Sequence, residues 1–452
     1  GPEKKGAEIR TEGKPRAILS LTLPGPIVLE AIGVLNGLGE YEPRLLVLGP
    51  NGFEVREFYQ IGDVIIRARD PRTYPYLPYV MNDFSSKDRL ALIDAVWTEF
   101  DQFADVEAPE KALFTAFVLL TYVQEHFDAV PYLYLVGAPE SGKSHVLRLF
   151  SELCYRPLYG VAHTAADIYS YLDDDGPPLT IIEDEAQGLE RDTEKVRIYK
   201  AGYKRGARVA RVTTYEGGRR IDYFACFGVK IMAGEQVIEN TALQQRCVTI
   251  EMVEGVPKKD HYDDEDRARF AALRSELLKW RMRVLAGHEP LPKLDIAWLR
   301  GRDRELFLPL LTMLADSKLY NVLEDFLRQR VEERRREKAE SLGAIVCRLV
   351  VRQLEKNGGE VVFADLWSDL REVLNGEEIK PASVSIATAM ETENFGRVTK
   401  NQIGRILTGE LGMQRRRTTV NGVTTTVYKP NTIKLRKAAK KYGIGDEASL
   451  QL

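Results

Sequence analysis

The sequence predicts an α/β fold with a parallel sheet, and three observations carry that expectation. Short β-type runs recur at 132–136, 179–182 and 229–233, with helical spacing between them. A glycine loop joins the first run directly to a helical stretch over 143–153. Beyond 265 the pattern turns helical, with Phe270, Leu273, Leu277, Trp280 and Val284 marking one face.

The flanking regions differ in kind. Residues 16–70 hold β-type runs at 45–48, 53–59 and 64–68 around a Gly-Pro-Asn-Gly turn at 49–52. A Pro- and Tyr-rich link follows at 70–79. Helical spacing covers 87–127 with a break near Pro109, and an acidic linker at 258–266 leads to helical stretches at 305–319 and 322–338. The expected organisation is therefore a β-rich module over 1–85, the α/β core over 86–256, a helical segment over 257–338 and a separate C-terminal domain over 339–452.

Composition narrows the function classes. The 452 residues are 44% apolar and 29% charged, as in an ordinary globular protein of two to four domains. The longest apolar stretch, 112–123, is too short to span a bilayer, so no membrane role is expected. Cys154, Cys226, Cys247 and Cys347 lie far apart, fitting neither a disulfide framework nor a thiolate zinc site, and a cytoplasmic setting is expected. The opening Gly1-Pro2 has the form of a scar left by tag cleavage and fits a piece of a longer protein. Net charge is −3, yet 396–441 carries 12 Lys or Arg against Glu410 alone. So basic a segment on an acidic body suits nucleic acid, the plain alternative being a solvated tail.

The loop at 137–144 reads GAPESGKS and fits G-x-x-x-x-G-K-[ST]. Glycines at 137 and 142 let backbone N–H groups turn inward around phosphate oxygens at a helix N-terminus. Lys143 would reach the β- and γ-phosphates of ATP, and the Ser144 hydroxyl would ligate Mg²⁺. The candidate nucleotide-binding residues run through Gly137, Ala138, Pro139, Glu140, Ser141, Gly142, Lys143, Ser144 and His145. The next β-type run ends in Glu183-Asp184-Glu185-Ala186-Gln187. Asp184 is assigned to the Mg²⁺ shell and Glu185 to polarising the attacking water. Glu183 stands where an apolar residue is expected, so a shifted register with Glu183 and Asp184 as the working pair stays open.

Residues 132–247 resemble the P-loop NTPases of the AAA+ class. The string 184–187 resembles their acidic strand-end motif, and Ala242-Leu-Gln-Gln-Arg-Cys247 is similar to the Arg-Cys box of clamp loaders. The resemblance implies that Arg246 reaches a neighbouring subunit's γ-phosphate as an arginine finger, with 257–338 as a helical lid. It also implies a polar sensor after 229–233, for which Gln236 is preferred to Glu235, and a second sensor at Arg302, with Arg304 as rival, contacting the nucleotide when the lid closes. The strings Ala201-Gly-Tyr-Lys-Arg-Gly-Ala-Arg208 and Arg302-Asp-Arg-Glu-Leu-Phe-Leu-Pro-Leu-Leu311 resemble helicase-like ATPases of plasmids, phages and other mobile elements, which often accompany primases.

Two regions are candidates for nucleic acid. Residues 207–226 read as a hairpin around Gly217-Gly218, with Tyr215, Arg219 and Arg220 at its tip, suited to stacking on and tracking a single strand. Its position matches the pore hairpin of replicative AAA+ helicases; a solvated subunit-contact hairpin is the alternative. The tail over 342–429 reads as a winged helix-turn-helix: helices at 342–354, 364–374 and 399–411, then strands around Asn421-Gly422. Ile403, Leu407 and Leu411 would face inward. Lys400, Gln402 and Arg405 would face a groove, and Arg415, Arg416, Arg417 and Lys429 would meet phosphates of a duplex or fork.

The sequence thus points to an ATP- and Mg²⁺-dependent DNA helicase or translocase. It would act as a homo-oligomeric ring, a hexamer by resemblance, in replication of a mobile element, with a primase or replication initiator as a further partner. The competing readings are a loader or initiator without processive unwinding, and a signalling or defence NTPase whose winged helix binds protein.

Overall fold

The structure is a computed structural model that describes residues 14–35, 37–70, 79, 85–172, 176–186, 189, 192–215, 217–357, 359–375, 398–420 and 423–444. It divides into two compact units, 1–326 and 327–452.

The first unit opens with seven strands: β1 (Lys14–Ile18), β2 (Ser20–Leu23), β3 (Ile27–Leu35), β4 (Tyr41–Gly49), β5 (Gly52–Arg56), β6 (Phe58–Ile61) and β7 (Val64–Ala68). They form a four-stranded antiparallel sheet, β2-β3-β4-β5, and a three-stranded sheet, β1-β7-β6, closing over Ile18, Leu29, Leu45, Val47 and Ile66. Gly52 at φ +101° turns the chain back along β4, and the expected run at 53–59 is two strands because a break at Glu57 separates β5 from β6.

Helices α1 (Arg89–Phe103) and α2 (Ala108–Val123) follow. Pro109 opens α2 rather than breaking a longer helix, since the first turn has no intrahelical use for its missing N–H. Twelve consecutive residues of α2, Ala112–Val123, are buried, which explains the longest apolar run in the chain.

The central sheet is wholly parallel: β8 (Tyr132–Val136), β9 (Pro157–Val161), β10 (Thr180–Asp184), β13 (Lys230–Gly234) and β14 (Cys247–Glu251), in spatial order β14-β8-β13-β10-β9. Crossovers run through α3 (Lys143–Leu153), α4 (Ala165–Tyr171), α5 (Thr193–Ala201) and α6 (Thr241–Gln244). An antiparallel hairpin, β11 (Arg208–Tyr215) and β12 (Gly218–Ala225), is inserted between α5 and β13. All five strands point the same way, so every strand C-terminus lies on one sheet edge and every N-terminus on the other.

Helices α7 (Asp264–Leu285) and α8 (Gly301–Leu314) complete the unit, with the start of α9 (Tyr320–Glu340). The acidic linker caps α7: Asp263 and Asp266 form a reciprocal capping box, and Lys259 pairs with both. Helix α7, placed with the lid in the sequence reading, packs along α1, α2, α3 and β3 with Phe270, Leu277 and Trp280 fully buried. Arg281 of α7 and Arg156, which follows α3, both ion-pair with the fully buried Glu30 of β3 at 2.9 and 3.0 Å. Burial alone would raise the Glu30 carboxyl, but the Arg281 and Arg156 guanidiniums beside it hold it below its ordinary value. The β-rich module is thereby fastened to the body of the sheet. All four cysteines are buried free thiols.

In the second unit, α10 (Leu342–Asn357), α11 (Phe363–Asn375) and α12 (Lys400–Arg405) pack with a three-stranded sheet, β15 (Val361–Val362), β17 (Val423–Lys429) and β16 (Gln414–Val420), in the order β15-β17-β16. The expected third helix continues past α12 only as a π-turn over Ile406–Glu410. A final basic helix, α13 (Thr432–Lys441), was not anticipated; Leu435, Ala438 and Ala439 seal it to the core. Among the described residues no helix is long and apolar enough to cross a membrane.

Candidate nucleotide site and nucleic-acid surfaces

The loop after β8 is shaped by two glycines with different jobs. Gly142 adopts φ +85° immediately before α3, where a side chain would be strained. A Cβ at Gly137 would stand 2.3 Å from the Met252 carbonyl oxygen, so that position admits nothing larger than hydrogen. Lys143 is buried, and its Nζ donates to the Gly137 and Ala138 carbonyls at 2.8 and 2.6 Å and to Ser141 Oγ at 3.1 Å. The ammonium is thus folded back along the loop that would cradle a phosphate. Ser144 is exposed at the start of α3.

The other edge elements converge on this loop. The Gly137 N–H donates to the carbonyl of Gly234, the last residue of β13, at 3.2 Å. The Ala186 N–H donates to the Ala233 carbonyl at 2.7 Å, which fastens the acidic turn to the same strand end. Strand β10 lies two strand spacings, about 10 Å, from β8. Asp184 is half-buried at its end, and its Oδ1 accepts the Glu185 N–H at 3.0 Å. Glu185 is exposed and sits at φ +53°, a strained conformation of the kind that collects at functional turns. Gln187 lies outside the described residues. Glu235 and Gln236 are both exposed after β13, and the Gln236 carbonyl accepts from Tyr134 Oη at 2.5 Å.

Glu183 has a different fate from the one left open above. It is fully buried, ion-paired with Lys195 of α5, and accepts a 2.8 Å hydrogen bond from Tyr199 Oη. Strand alternation sends it to the face opposite Asp184. The carboxylate of Glu183 is thus engaged by Lys195 and Tyr199 on that face, while Asp184 and Glu185 stand at the strand end.

A cavity of about 180 Å³ adjoins the loop, lined by Phe103, Ala104, Val146, Met252, Val253 and Pro257, with His145 and Asp105 at its polar side. His145 stacks on Tyr262 with centroids 4.9 Å apart, and burial lowers its pKa from the ordinary value. Sequence reasoning missed this cavity, whose walls come from the α1–α2 junction, α3 and the segment after β14.

Arg246 stands on the opposite edge. Its carbonyl accepts from the N–H of Tyr132, the first residue of β8, at 2.9 Å. A five-residue strand, roughly 16 Å, separates it from its own phosphate loop, more than twice an arginine side chain's reach of roughly 6–7 Å. Arg302 is beside it: its Nη1 donates to Gln245 Oε1 at 2.9 Å, and both guanidiniums lie over the Tyr203 ring. Arg302, expected to contact the nucleotide when the lid closes, lies here beside Arg246 on the edge away from its own chain's loop. Its rival Arg304 pairs with Asp295 at 3.5 Å.

The hairpin is anchored at its root and free beyond it. Phe224 packs on Tyr169 of α4 at 4.8 Å, Arg211 lies over the same ring, and Arg197 of α5 donates to the Ala210 carbonyl at 2.6 Å. Further out, Val212, Ile221 and Tyr223 are more than half exposed. Arg219 is exposed, and Arg220 pairs with Asp222 at 2.8 Å. Tyr215 closes the ladder opposite Gly218; its side chain lies outside the described residues.

In the second unit Ile403, Leu407 and Leu411 are fully buried while Lys400 and Arg405 are exposed, with Lys400 over the Trp367 ring. Gln402 is spent as a cap: its Oε1 accepts the Thr399 N–H. Arg415, Arg416 and Arg417 are exposed on edge strand β16, and Arg416 lies 3.8 Å from Glu360.

These features define an α/β protein with a parallel sheet in which a phosphate-type loop joins strand β8 to helix α3. No family model matches the sequence, and no curated protein matches it. Among solved structures the chain is similar to the apo NrS-1 C-terminal region, at 12% identity over 89% of this chain and 97% of that one, with a TM-score of 0.36. It is similar to the SCCmec type IV active helicase Cch at 12% identity over 98% and 99%, with a TM-score of 0.35. The Aeropyrum pernix ORC1 protein in complex with DNA matches at 14% identity over 79% and 97%, with a TM-score of 0.22. Scores this low leave function to be read from the chain itself.

Proposed function

We propose that the chain is an ATP-hydrolysing AAA+ motor of the helicase or translocase type, working on DNA as an oligomeric ring. The observation that carries this reading is the division of machinery between two sheet edges: the phosphate loop, Asp184 and Glu185 on one, Arg246 on the other, beyond reach of its own loop. One copy's loop is then completed by the next copy's arginine, and a closed ring, of six copies by resemblance, completes every site.

The loop N–H groups and the α3 N-terminus would hold the phosphates, and Lys143 would exchange its loop carbonyls for γ-phosphate oxygens. Ser144 and Asp184 offer two hard oxygen ligands, which fits Mg²⁺, an ion that keeps waters and phosphate oxygens as its remaining ligands. When bound, Mg²⁺ would neutralise charge building on the β- and γ-oxygens. Glu185 orients the attacking water, the γ-phosphorus–oxygen bond to ADP breaks, and Arg246 of the adjacent copy stabilises the spreading charge. The cavity beside His145 would take the nucleobase. The hairpin, rooted on α4 and α5, would carry Arg219 and Arg220 along a single strand, and the basic second unit would meet duplex or fork DNA as a winged helix. Replication of a mobile element, beside a primase or initiator, is the setting this reading favours.

Strand displacement on a forked DNA tests it. The wild-type chain should unwind with ATP, Lys143→Ala should neither hydrolyse nor unwind, and Arg219→Ala with Arg220→Ala should hydrolyse without unwinding. ATP turnover without displacement by the wild type would favour a loader instead.

A further inference from the structure

Two sequence strings a hundred residues apart meet at one place on the edge that carries Arg246. From 201–208, Tyr203 is buried, and the Arg246 and Arg302 guanidiniums stand 4.4 and 5.9 Å from its ring centroid. From 302–311, Arg302 occupies the first turn of α8, where the positive end of the helix dipole disfavours a cation. Their neighbours are neutralised: Lys204 pairs with Glu305 at 3.0 Å and Arg205 with Asp128 at 2.5 Å. Among the described residues, neither Arg246 nor Arg302 has a carboxylate within ion-pair distance, and Arg246 Nε is buried without a partner. Two like charges on one ring, one of them at a helix N-terminus, form an arrangement that an incoming polyanion would relieve.

The backbone fixes the platform. The Tyr203 carbonyl accepts from the Val130 N–H at 2.9 Å, just before β8. A Cβ at Gly202 would stand 2.3 Å from the Cys226 carbonyl oxygen, so this bend requires glycine. Gly206 at φ +78° then turns the chain into β11.

We infer that Arg302 is a second catalytic cation acting in trans, and that Tyr203 is the positioning residue holding Arg246 and Arg302 as a pair toward the triphosphate bound by a second copy of this chain. The inference rests on the shared-site reading above and adds to it the partner of Arg246 and the residue that aims both. Arg302 would contribute to turnover only across an interface, and Tyr203 would act through its ring rather than its hydroxyl.

Subunit mixing tests this with the full chain. Lys143→Ala keeps the arginine pair and loses the loop; Arg302→Ala keeps the loop and loses half of the pair. Each alone should fall by about a hundredfold or more in kcat, and their mixture should recover ATP turnover well above either. Tyr203→Phe should keep wild-type kcat, whereas Tyr203→Ala should lose kcat at least about tenfold with KM for ATP nearly unchanged. Wild-type turnover by Arg302→Ala, or a mixture no better than its parts, overturns the inference, and so does a Tyr203→Phe variant as impaired as Tyr203→Ala. Should Tyr203→Ala fail to fold, the mixing result decides alone. Full turnover by Arg246→Ala would instead remove the shared site itself, and this inference with it; a dead Arg246→Ala beside a fully active Arg302→Ala removes only the inference.

Discussion

Glu183, inside β10, and Glu185, just past its end, are two residues apart, the first fully buried and the second exposed, and one experiment separates a structural acid from a catalytic one. Glu183→Ala would leave the Lys195 ammonium and the Tyr199 hydroxyl without their shared carboxylate, inside a region where Lys195 is 5% exposed and Glu183 not at all. Breaking one side of a buried ion pair costs about 3–5 kcal/mol. At about 2 °C per kcal/mol for a unit of this size, the unfolding midpoint should fall by about 6–10 °C. Far-UV circular dichroism reads the midpoint, and ATP turnover at low temperature reads what remains of the chemistry. The double variant Glu183→Leu, Lys195→Met removes both charges and should recover most of the loss, because no ion is left unpaired. Glu185→Gln, at an exposed position, should leave the midpoint within about 1 °C and lower turnover by roughly a hundredfold. A Glu183→Ala protein that melts like the wild type yet fails to hydrolyse ATP would refute the assignment and restore Glu183 to the working pair.

Gly137→Ala should weaken ATP binding by at least about tenfold, since the added carbon would stand 2.3 Å from the Met252 carbonyl; wild-type affinity in a fluorescent-nucleotide titration would contradict the packing. Lys230 is buried with its ammonium on the Cys226 and Gly228 carbonyls, and burial pulls its pKa from 10.5 down to about 8. At this group the unfolded chain then holds the proton more than the folded one between those values, so the contribution of Lys230 to stability should rise with pH across that window by up to about 3 kcal/mol. The buried thiols, raised above their ordinary value, pull stability the other way over the same range, so the test is the difference. In urea unfolding from pH 8 to 10.5 the wild type should gain stability relative to Lys230→Met, and parallel pH profiles would refute it. Glu30→Ala should cost about 3–5 kcal/mol, because Arg156 and Arg281 lose their common partner. An unchanged thermal midpoint would mean that this network does not fasten the β-rich module to the body.

Legibility in the sequence followed how local each cause was. The phosphate loop was readable because its chemistry demands Gly137, Gly142, Lys143 and Ser144 at fixed spacing between a strand and a helix. The apolar face of α7 was readable because Phe270, Leu273, Leu277, Trp280 and Val284 repeat at helical spacing and all are buried. Glu183 was not, since its partner Lys195 comes from the helix after the acidic turn and only folding brings the two together. Glu30 gave no signal for the same reason: one acid in an apolar strand becomes intelligible only beside Arg156 and Arg281. Arg302 was picked out by its string, but its side of the sheet was invisible until Tyr203 stood under it. Helix α13 was hidden by its charge, because lysines and arginines dominate a segment whose few buried residues are Leu435, Ala438 and Ala439.

The central claim is that the hydrolytic site is completed by a second copy of the chain. ATP turnover per chain, measured against protein concentration alongside the mass distribution of the same samples, tests it most directly. Turnover should be negligible wherever monomers dominate and should rise in step with the oligomer. Constant turnover per chain down to concentrations at which only monomers remain would contradict it.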